Sequence, residues 1–416
     1  IDEEHEPTYK SEQVPRFHAR ETAIERARME HACVVLGSAT PSLEAFYACE
    51  SGKYELLRLK SRSMKQSLPE VYVTDMREEL KKGNRSILSD RLKELMEDRL
   101  QKKEQMMLFL NRRGYAGFVS CRACGYVVKC PHCDVSLSVH RGGKMVCHYC
   151  GYETAGVQNC PSCGSPYIGG FRAGTQQIEE LVKRQFPQAR VLRMDLDTTK
   201  NKGGHEKILA QFADEEADIM IGTQMIVKGH DFPNVTLVGV LAADMSLYSD
   251  DYRSGERTFQ LLTQAAGRAG RGRSKGEVVI QTYSPDHYSI QMAAKQDYEG
   301  FYEKEMNYRD LMGYPPAAQL MAVLMTGADE EMLQTAAEYL KKYAIRVMDE
   351  GTCQVIGPAS PYVGKVNDVY RKILYLKSED YQMLIRIKNH MERYIEINRG
   401  FANMRIQFDF NPMSVF

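Results

Sequence analysis

Three things missing from this chain exclude the simplest readings of it. No stretch approaches the roughly 20 apolar residues needed to cross a bilayer, and the N-terminus has no basic segment followed by an apolar one. Neither a membrane span nor a secretory leader is therefore read, and a cytoplasmic protein is expected. Excess charge of either sign is also missing: Lys plus Arg and Asp plus Glu are 55 each. Any contact with a polyanion must come from local patches. The third absence is the phosphate-cradling pattern Gly, four residues, Gly-Lys-Ser/Thr, which no stretch satisfies. The chain opens Ile1-Asp2-Glu3-Glu4-His5 without an initiator methionine and without the apolar strand that should precede such a tetrad. A fragment of a longer protein, unable by itself to hydrolyse ATP or unwind nucleic acid, is the expectation.

What is present describes a soluble multi-domain protein. Its 416 residues are 43% hydrophobic and 26% charged, enough apolar material for real cores and too long for one of them. Apolar runs at Val34–Leu36, Glu70–Thr74, Met106–Leu110, Arg190–Met194, Asp218–Ile221, Thr236–Leu241 and Glu277–Thr282 alternate with helix-length segments, which predicts a parallel α/β sheet. Past Ser284 a helical stretch rich in Tyr and Met leads to Tyr314-Pro315-Pro316, read as a linker. Beyond it the predicted order strand (320–325), helix (330–348), strand (353–356), strand (372–376), helix (380–395), strand (404–410) is that of a ferredoxin-like split βαβ unit.

Eight of the 11 cysteines form four Cys-x-x-Cys pairs: Cys121 and Cys124, Cys130 and Cys133, Cys147 and Cys150, Cys160 and Cys163. A two-residue gap lets one tight turn aim both thiolates at a single ion, so eight thiolates predict two closed tetrahedral zinc sites. Gly125, Gly151 and Gly164 follow three of the pairs, where such a turn needs positive φ, and Asp134 follows the fourth. Sequential, crossed and nested pairings are all possible. Nested is expected, because residues 137–146 around Gly142 and Gly143 read as a hairpin that brings Cys130, Cys133, Cys147 and Cys150 together. Cys121, Cys124, Cys160 and Cys163 would then form the other set. Disulfides are disfavoured in a chain without secretory features. His132, His140 and His148 are expected at the surface, and Cys33, Cys49 and Cys353 as small buried apolar groups.

The remaining motifs point to a nucleotide motor. Asp2 and Glu3 could hold Mg²⁺ and orient the water that attacks a γ-phosphate, with His5 beside them. Gly37-Ser38-Ala39-Thr40-Pro41 offers hydroxyls to relay hydrogen bonds between lobes. Phe109 to Gly114 follows as a motif of the second lobe, and Gly222-Thr223-Gln224-Met225, with Lys228-Gly229-His230-Asp231 beyond, forms a loop suited to backbone phosphates. In Gln264-Ala265-Ala266-Gly267-Arg268-Ala269-Gly270-Arg271, a helix would project Gln264, Arg268 and Arg271 from one face, two arginines able to reach a γ-phosphate. Gly267 and Gly270 predict a close approach to some neighbour.

Taken in this order, with the cysteine insertion lying between the motor motifs, the sequence resembles the PriA family of primosomal replication-restart helicases over nearly all its length. The resemblance implies RecA-like helicase lobes, with the end of lobe 1 in residues 1–68 and lobe 2 in 69–118 and 172–285. It further implies a two-zinc insertion at 119–171 and a linker plus C-terminal α+β domain at 286–416. A 3′-to-5′ DNA helicase is implied, using ATP and Mg²⁺ to remodel stalled forks and D-loops and to help load the replicative helicase. Partners would be DNA, single-stranded DNA-binding protein and other primosome proteins, with Lys365, Arg371 and Lys372 offering basic contacts. Asp2, Gly229, Asp231, Arg268 and Arg271 would meet nucleotide. DNA would be met by Thr223, Gln224 and Lys228, and by Phe17, His18 and Arg20 in segment 9–20, which lies where the family keeps an aromatic-rich loop that couples DNA binding to ATP hydrolysis, its rings suited to stacking on bases. A zinc-dependent scaffold with a decayed motor is the alternative of another class, opposed by intact Glu3, Arg268 and Arg271. An RNA helicase shares the motor motifs.

Overall fold

The computed structural model describes residues 1–59, 68–110, 118–140, 143–169, 174–195, 197–199, 203–223, 226, 232–249, 251–272, 275–349 and 351–413. Strands β1 (Glu70–Asp75), β2 (Gln105–Leu110), β3 (Val191–Met194), β4 (Ile219–Gly222), β5 (Val235–Leu241) and β6 (Glu277–Thr282) form one sheet in the order β1-β6-β5-β2-β4-β3. Every pairing in it is parallel. All positions of β2, β4 and β5 are buried, as expected for central parallel strands covered on both faces. Successive side chains feed opposite layers. Met107, Phe109, Val238 and Val240 pack in one core, and Met106, Leu108, Leu110, Leu237 and Leu241 in the other. The α/β sheet read from the sequence is therefore present.

The run Val34–Leu36 is not the buried strand expected of it. Only an isolated parallel bridge joins Asp2 to Gly37, and Val35 is 70% exposed. Among the described residues just one segment, Ile1–Asp2, pairs beside it, so its apolar side chains have no second layer to enter. Helices α1 (Ala19–Glu30) and α2 (Leu43–Glu50) complete this part of the chain. Ser42 caps α2 by accepting from Ala45 N.

Helix α3 (Ser254–Ala266) packs beneath the sheet, and α4 (Tyr298–Met312) leads to Tyr314. The segment read as a linker is packed tightly. Tyr314 is buried and stacks on Tyr252 with ring centroids 4.5 Å apart. Arg309, wholly buried, donates to Glu305 at 2.8 Å, Glu256 at 3.0 Å and the Pro315 carbonyl at 2.6 Å. A buried guanidinium held by two carboxylates fixes this junction, whereas composition alone registered only its prolines.

In the C-terminal domain, β7 (Gln319–Gly327), β8 (Gln354–Ala359), β9 (Val369–Ser378) and β10 (Arg405–Phe410) form an antiparallel sheet in the order β8-β9-β7-β10. Helices α5 (Glu330–Val347) and α6 (Tyr381–Ile397) share its core. This is the ferredoxin-like order expected. The other face of that sheet packs on the cysteine-rich insertion, with Leu320, Ala322, Ile373 and Tyr375 in one cluster with Val128, Val135, Leu137 and Tyr149. No helix among the described residues is long and apolar enough to cross a membrane.

Candidate functional site

The four Cys-x-x-Cys turns have one backbone design. In each, the first cysteine's carbonyl accepts from the N–H four residues on: Gly125, Asp134, Gly151 and Gly164, at 2.8, 3.0, 2.9 and 2.9 Å. Its own N–H donates to the carbonyl five residues on, at Tyr126, Val135, Tyr152 and Ser165. Those four i+4 residues have φ of +79°, +53°, +79° and +71°, the left-handed region that glycine enters freely and aspartate tolerates. The turn leaves both thiols on one side of the chain.

The thiols gather as two sets of four, Cys121, Cys124, Cys160, Cys163 and Cys130, Cys133, Cys147, Cys150, with the sulfurs of each set within 4.8 Å of one another. The arrangement is nested. Sulfurs approach to 3.7 Å between Cys121 and Cys163, 3.6 Å between Cys124 and Cys160, and 3.6 Å between Cys130 and Cys150. Those separations are far too long for disulfides. They match the edge of a tetrahedron whose corners lie about 2.3 Å from a central zinc. The antiparallel pair Ser138–Val139 with Met145–Val146 closes the inner set, as the hairpin reading predicted. With four thiolates and no open position, bound zinc would supply structural cross-bracing.

The two sets differ in surroundings. Cys163 is exposed, whereas Cys130, Cys133 and Cys147 are buried and share a core with the C-terminal sheet. Tyr149, between two ligands of the inner set, stacks on Tyr375 of β9 at 5.0 Å. Its neighbour His148 is buried and its Nδ1 meets the Ser360 carbonyl at 2.9 Å. His148 is thus no surface residue, contrary to expectation: it makes a polar contact between insertion and C-terminal domain. Cys33 is likewise exposed where burial was expected, because the Val34–Leu36 run beside it is not covered, while Cys353 is buried.

The motor motifs converge from distant parts of the chain. Ile1 and Asp2 lie beside Val35 to Gly37, with Gly37 N donating to the Ile1 carbonyl at 2.8 Å and Glu4 N to the Gly37 carbonyl at 3.1 Å. Asp2 and Glu3 are exposed; Glu4 and His5 are buried. The Gln264 side-chain amide donates to His5 Nε2 at 3.0 Å. This leaves the ring proton on Nδ1, which meets Ser38 Oγ at 2.7 Å. Glu3 Oε2 lies 3.5 Å from the same Nδ1, and Ser38 Oγ accepts from Thr40 N at 3.0 Å. One imidazole therefore joins the acidic tetrad, the Ser38 turn and α3. A second link runs from Leu43 N to Glu256 Oε1 of α3, at 3.0 Å.

Several expected site residues sit differently. Helix α3 stops at Ala266, so Arg268 and Arg271 leave from a turn, not from its face. Gly267 caps the helix, and Gly270, at φ +71°, redirects the chain to donate to the Val235 carbonyl at 3.0 Å. A Cβ on Gly270 would lie 2.4 Å from Gly276 N, so this glycine does permit a close approach; nothing comparable crowds Gly267. Arg271 Nε donates to the Gly267 carbonyl at 2.8 Å. Arg20 is no free contact for DNA. It is buried, holds Glu4 at 2.8 Å and Ser42 Oγ at 2.7 Å, and so fixes the interior of the tetrad.

His18 caps α1 by accepting from Arg20 N at 3.2 Å. Burial and the nearby Arg20 charge push its pKa down to about 4, leaving it neutral. Phe17 is half exposed, as a stacking ring would need. Lys372 donates to Ser360 Oγ at 3.0 Å, and Lys365 pairs with Asp368 at 2.8 Å. Thr223 follows β4, at the carboxyl edge where open α/β sheets bind ligands. Asn111, Arg112, Arg113, Gln224, Lys228, Gly229 and Asp231 lie outside the described residues. Sequence reading missed Ser42 and Glu256, whose roles depend on neighbours 38 and 213 residues away.

A parallel six-stranded lobe joined through His5 and Gln264 to an acidic tetrad, carrying a double four-cysteine insertion, defines the class as a helicase motor lobe of RecA-like fold with a zinc-ribbon module. Three family models match: the helicase conserved C-terminal domain at residues 170–273, the PriA DNA helicase Cys-rich region domain at 130–154, and the primosomal protein N C-terminal domain at 310–413. The replication restart protein PriA of Bacillus subtilis is 48% identical over 417 residues, covering 99% of this chain and 51% of that protein. Those of Synechocystis and Chlamydia pneumoniae are 40% and 39% identical, with 50% and 56% of their lengths covered. The chain belongs to the PriA family, and it spans about half the length of the curated relatives it matches.

Proposed function

We infer that this chain is part of an ATP-dependent 3′-to-5′ DNA helicase of replication restart, acting in the cytoplasm at stalled forks and D-loops. In that reading Asp2 holds Mg²⁺ and Glu3 orients and deprotonates the attacking water. Arg268 and Arg271 neutralise charge developing on the γ-phosphate from the opposite lobe. Gly229 and Asp231 line the nucleotide, while Thr223, Gln224, Lys228 and Phe17 meet the DNA strand. The two zinc sites are structural. Single-stranded DNA-binding protein and the primosome and helicase-loading proteins are the proposed partners.

The observation that carries this reading is the hydrogen-bonded His5, which receives Gln264 of α3 on one nitrogen and meets Ser38 on the other. Strain or charge at the tetrad can pass to the second lobe through a single ring. The zinc-scaffold alternative has no use for such a link. The test is a strand-displacement assay on the intact protein with ATP. A DNA duplex with a 3′ single-stranded tail should be opened, and one with a 5′ tail should not. Equal opening of both, or a preference for RNA duplexes, would overturn it.

A further inference from the structure

The segment between residues 10 and 18 is tied at both ends to the acidic tetrad. Lys10 and His18 close it as an antiparallel bridge, and Ser11 N donates to the Phe17 carbonyl at 2.8 Å. Just before it, Tyr9 Oη donates to the Asp2 carbonyl at 2.7 Å. Just after it, Arg20 holds Glu4 at 2.8 Å. A displacement of this loop would therefore be felt at the backbone of Asp2 and the carboxylate of Glu4.

The loop is also fastened to another domain. Lys10 Nζ lies 2.8 Å from Asp409 Oδ1, and Arg16 Nη1 lies 3.1 Å from Oδ2 of the same carboxylate. Lys10 Nζ donates as well to the Phe410 carbonyl at 3.0 Å. The side chains of Asp409, Lys10 and Arg16 are 5%, 9% and 12% exposed. An ion pair in open solvent holds little, but here removing the one carboxylate would take a shared, largely buried counter-charge away from two largely dehydrated cations. Asp409 is itself fixed in the sheet, paired with Ala322. Beyond this anchor, Val14 and Phe17 remain 62% and 50% exposed.

We propose that Asp409 is a positioning residue: it anchors the 10–18 loop to the C-terminal sheet, so that the coupling of DNA to ATP that the resemblance implies for this loop acts, through a base stacked on Phe17, on the Tyr9–Asp2 connection. The anchor stands on geometry alone, while its consequence for ATP hydrolysis rests on the function proposed above. Because the 416 residues contain no tryptophan, Phe17→Trp in this chain places one selectively excitable tryptophan on the loop. In that background Asp409→Asn should raise acrylamide quenching and lower anisotropy. Arg16→Gln should do the same from the loop side, leaving the C-terminal sheet untouched, and Asp409→Glu, which keeps the charge, should largely restore both signals.

In the intact protein Asp409→Asn should raise about tenfold the single-stranded DNA concentration that half-maximally stimulates ATP turnover, the effect of some 1.4 kcal/mol of lost preorganisation. Turnover without DNA should be unchanged, and Asp409→Glu should recover the DNA response. Identical fluorescence in all variants would overturn the anchor. An unaltered DNA response, or a fall in DNA-independent turnover, would overturn the positioning role. If the unsubstituted intact protein shows no DNA stimulation at all, the functional reading and the coupling fail together, and the fluorescence still decides the anchor.

Discussion

In the intact protein, Arg268→Ala is expected to slow ATP turnover by roughly 10³- to 10⁵-fold, the range over which an arginine supplied to a transferring phosphoryl group acts. Nucleotide affinity should change far less, because the charge that Arg268 is proposed to meet develops in the transition state. Arg268→Lys should recover little, since a compact ammonium cannot reproduce the planar fork of a guanidinium. Arg271→Ala should also weaken turnover, but with a structural component, because Arg271 Nε already holds the Gly267 carbonyl at 2.8 Å. Steady-state turnover with a parallel nucleotide-binding measurement separates these outcomes. Arg268→Ala turnover within a few-fold of the unsubstituted protein would remove Arg268 from the proposed chemistry.

The second large effect concerns metal. The chain should carry two zinc ions, and Cys147→Ser should leave one. Removing the inner set is expected to do more than loosen a surface module. Cys130, Cys133 and Cys147 share a core with Ile373 and Tyr375 of the C-terminal sheet, and the Tyr149–Tyr375 stack springs from between two ligands. Cys147→Ser should therefore expose the junction between insertion and C-terminal domain to limited proteolysis. Cys163→Ser, at an exposed ligand of the outer set, should also cost one zinc but leave that junction protected. Metal analysis with proteolytic mapping reads both. Equal protection in the two variants would show that the inner site does not brace the domain.

Much of this architecture could be read from residues because the signals were local. Gly125, Gly151, Gly164 and Asp134 mark their turns directly, since positive φ is a property of single positions. The hairpin between Cys133 and Cys147 then fixed the nested pairing. The runs that became β2, β4 and β5 are continuous and apolar because both faces of a parallel sheet are covered. What the sequence could not show depends on partners far along the chain. Arg20 looked like a DNA contact because its buried partner Glu4 and the Ser42 hydroxyl meet it only in the fold. His148 looked superfluous to the cysteines until Ser360 arrived beside it. The helical face expected for Arg268 and Arg271 failed for a local reason that pattern reading underweighted: Gly267 and Gly270 end α3 and turn the chain toward β5.

The imidazole of His5 matters to the account because it joins the exposed carboxylate pair to α3, yet that joint is useful only if the carboxylates do chemistry. Glu3→Gln in the intact protein, assayed for ATP turnover with saturating single-stranded DNA, tests this most directly. The substitution preserves size and removes only the charge and basicity at position 3. Turnover is predicted to fall at least a hundredfold, the lower range for loss of a general base, with DNA and nucleotide still bound. Turnover within twofold of the unsubstituted protein would contradict the account.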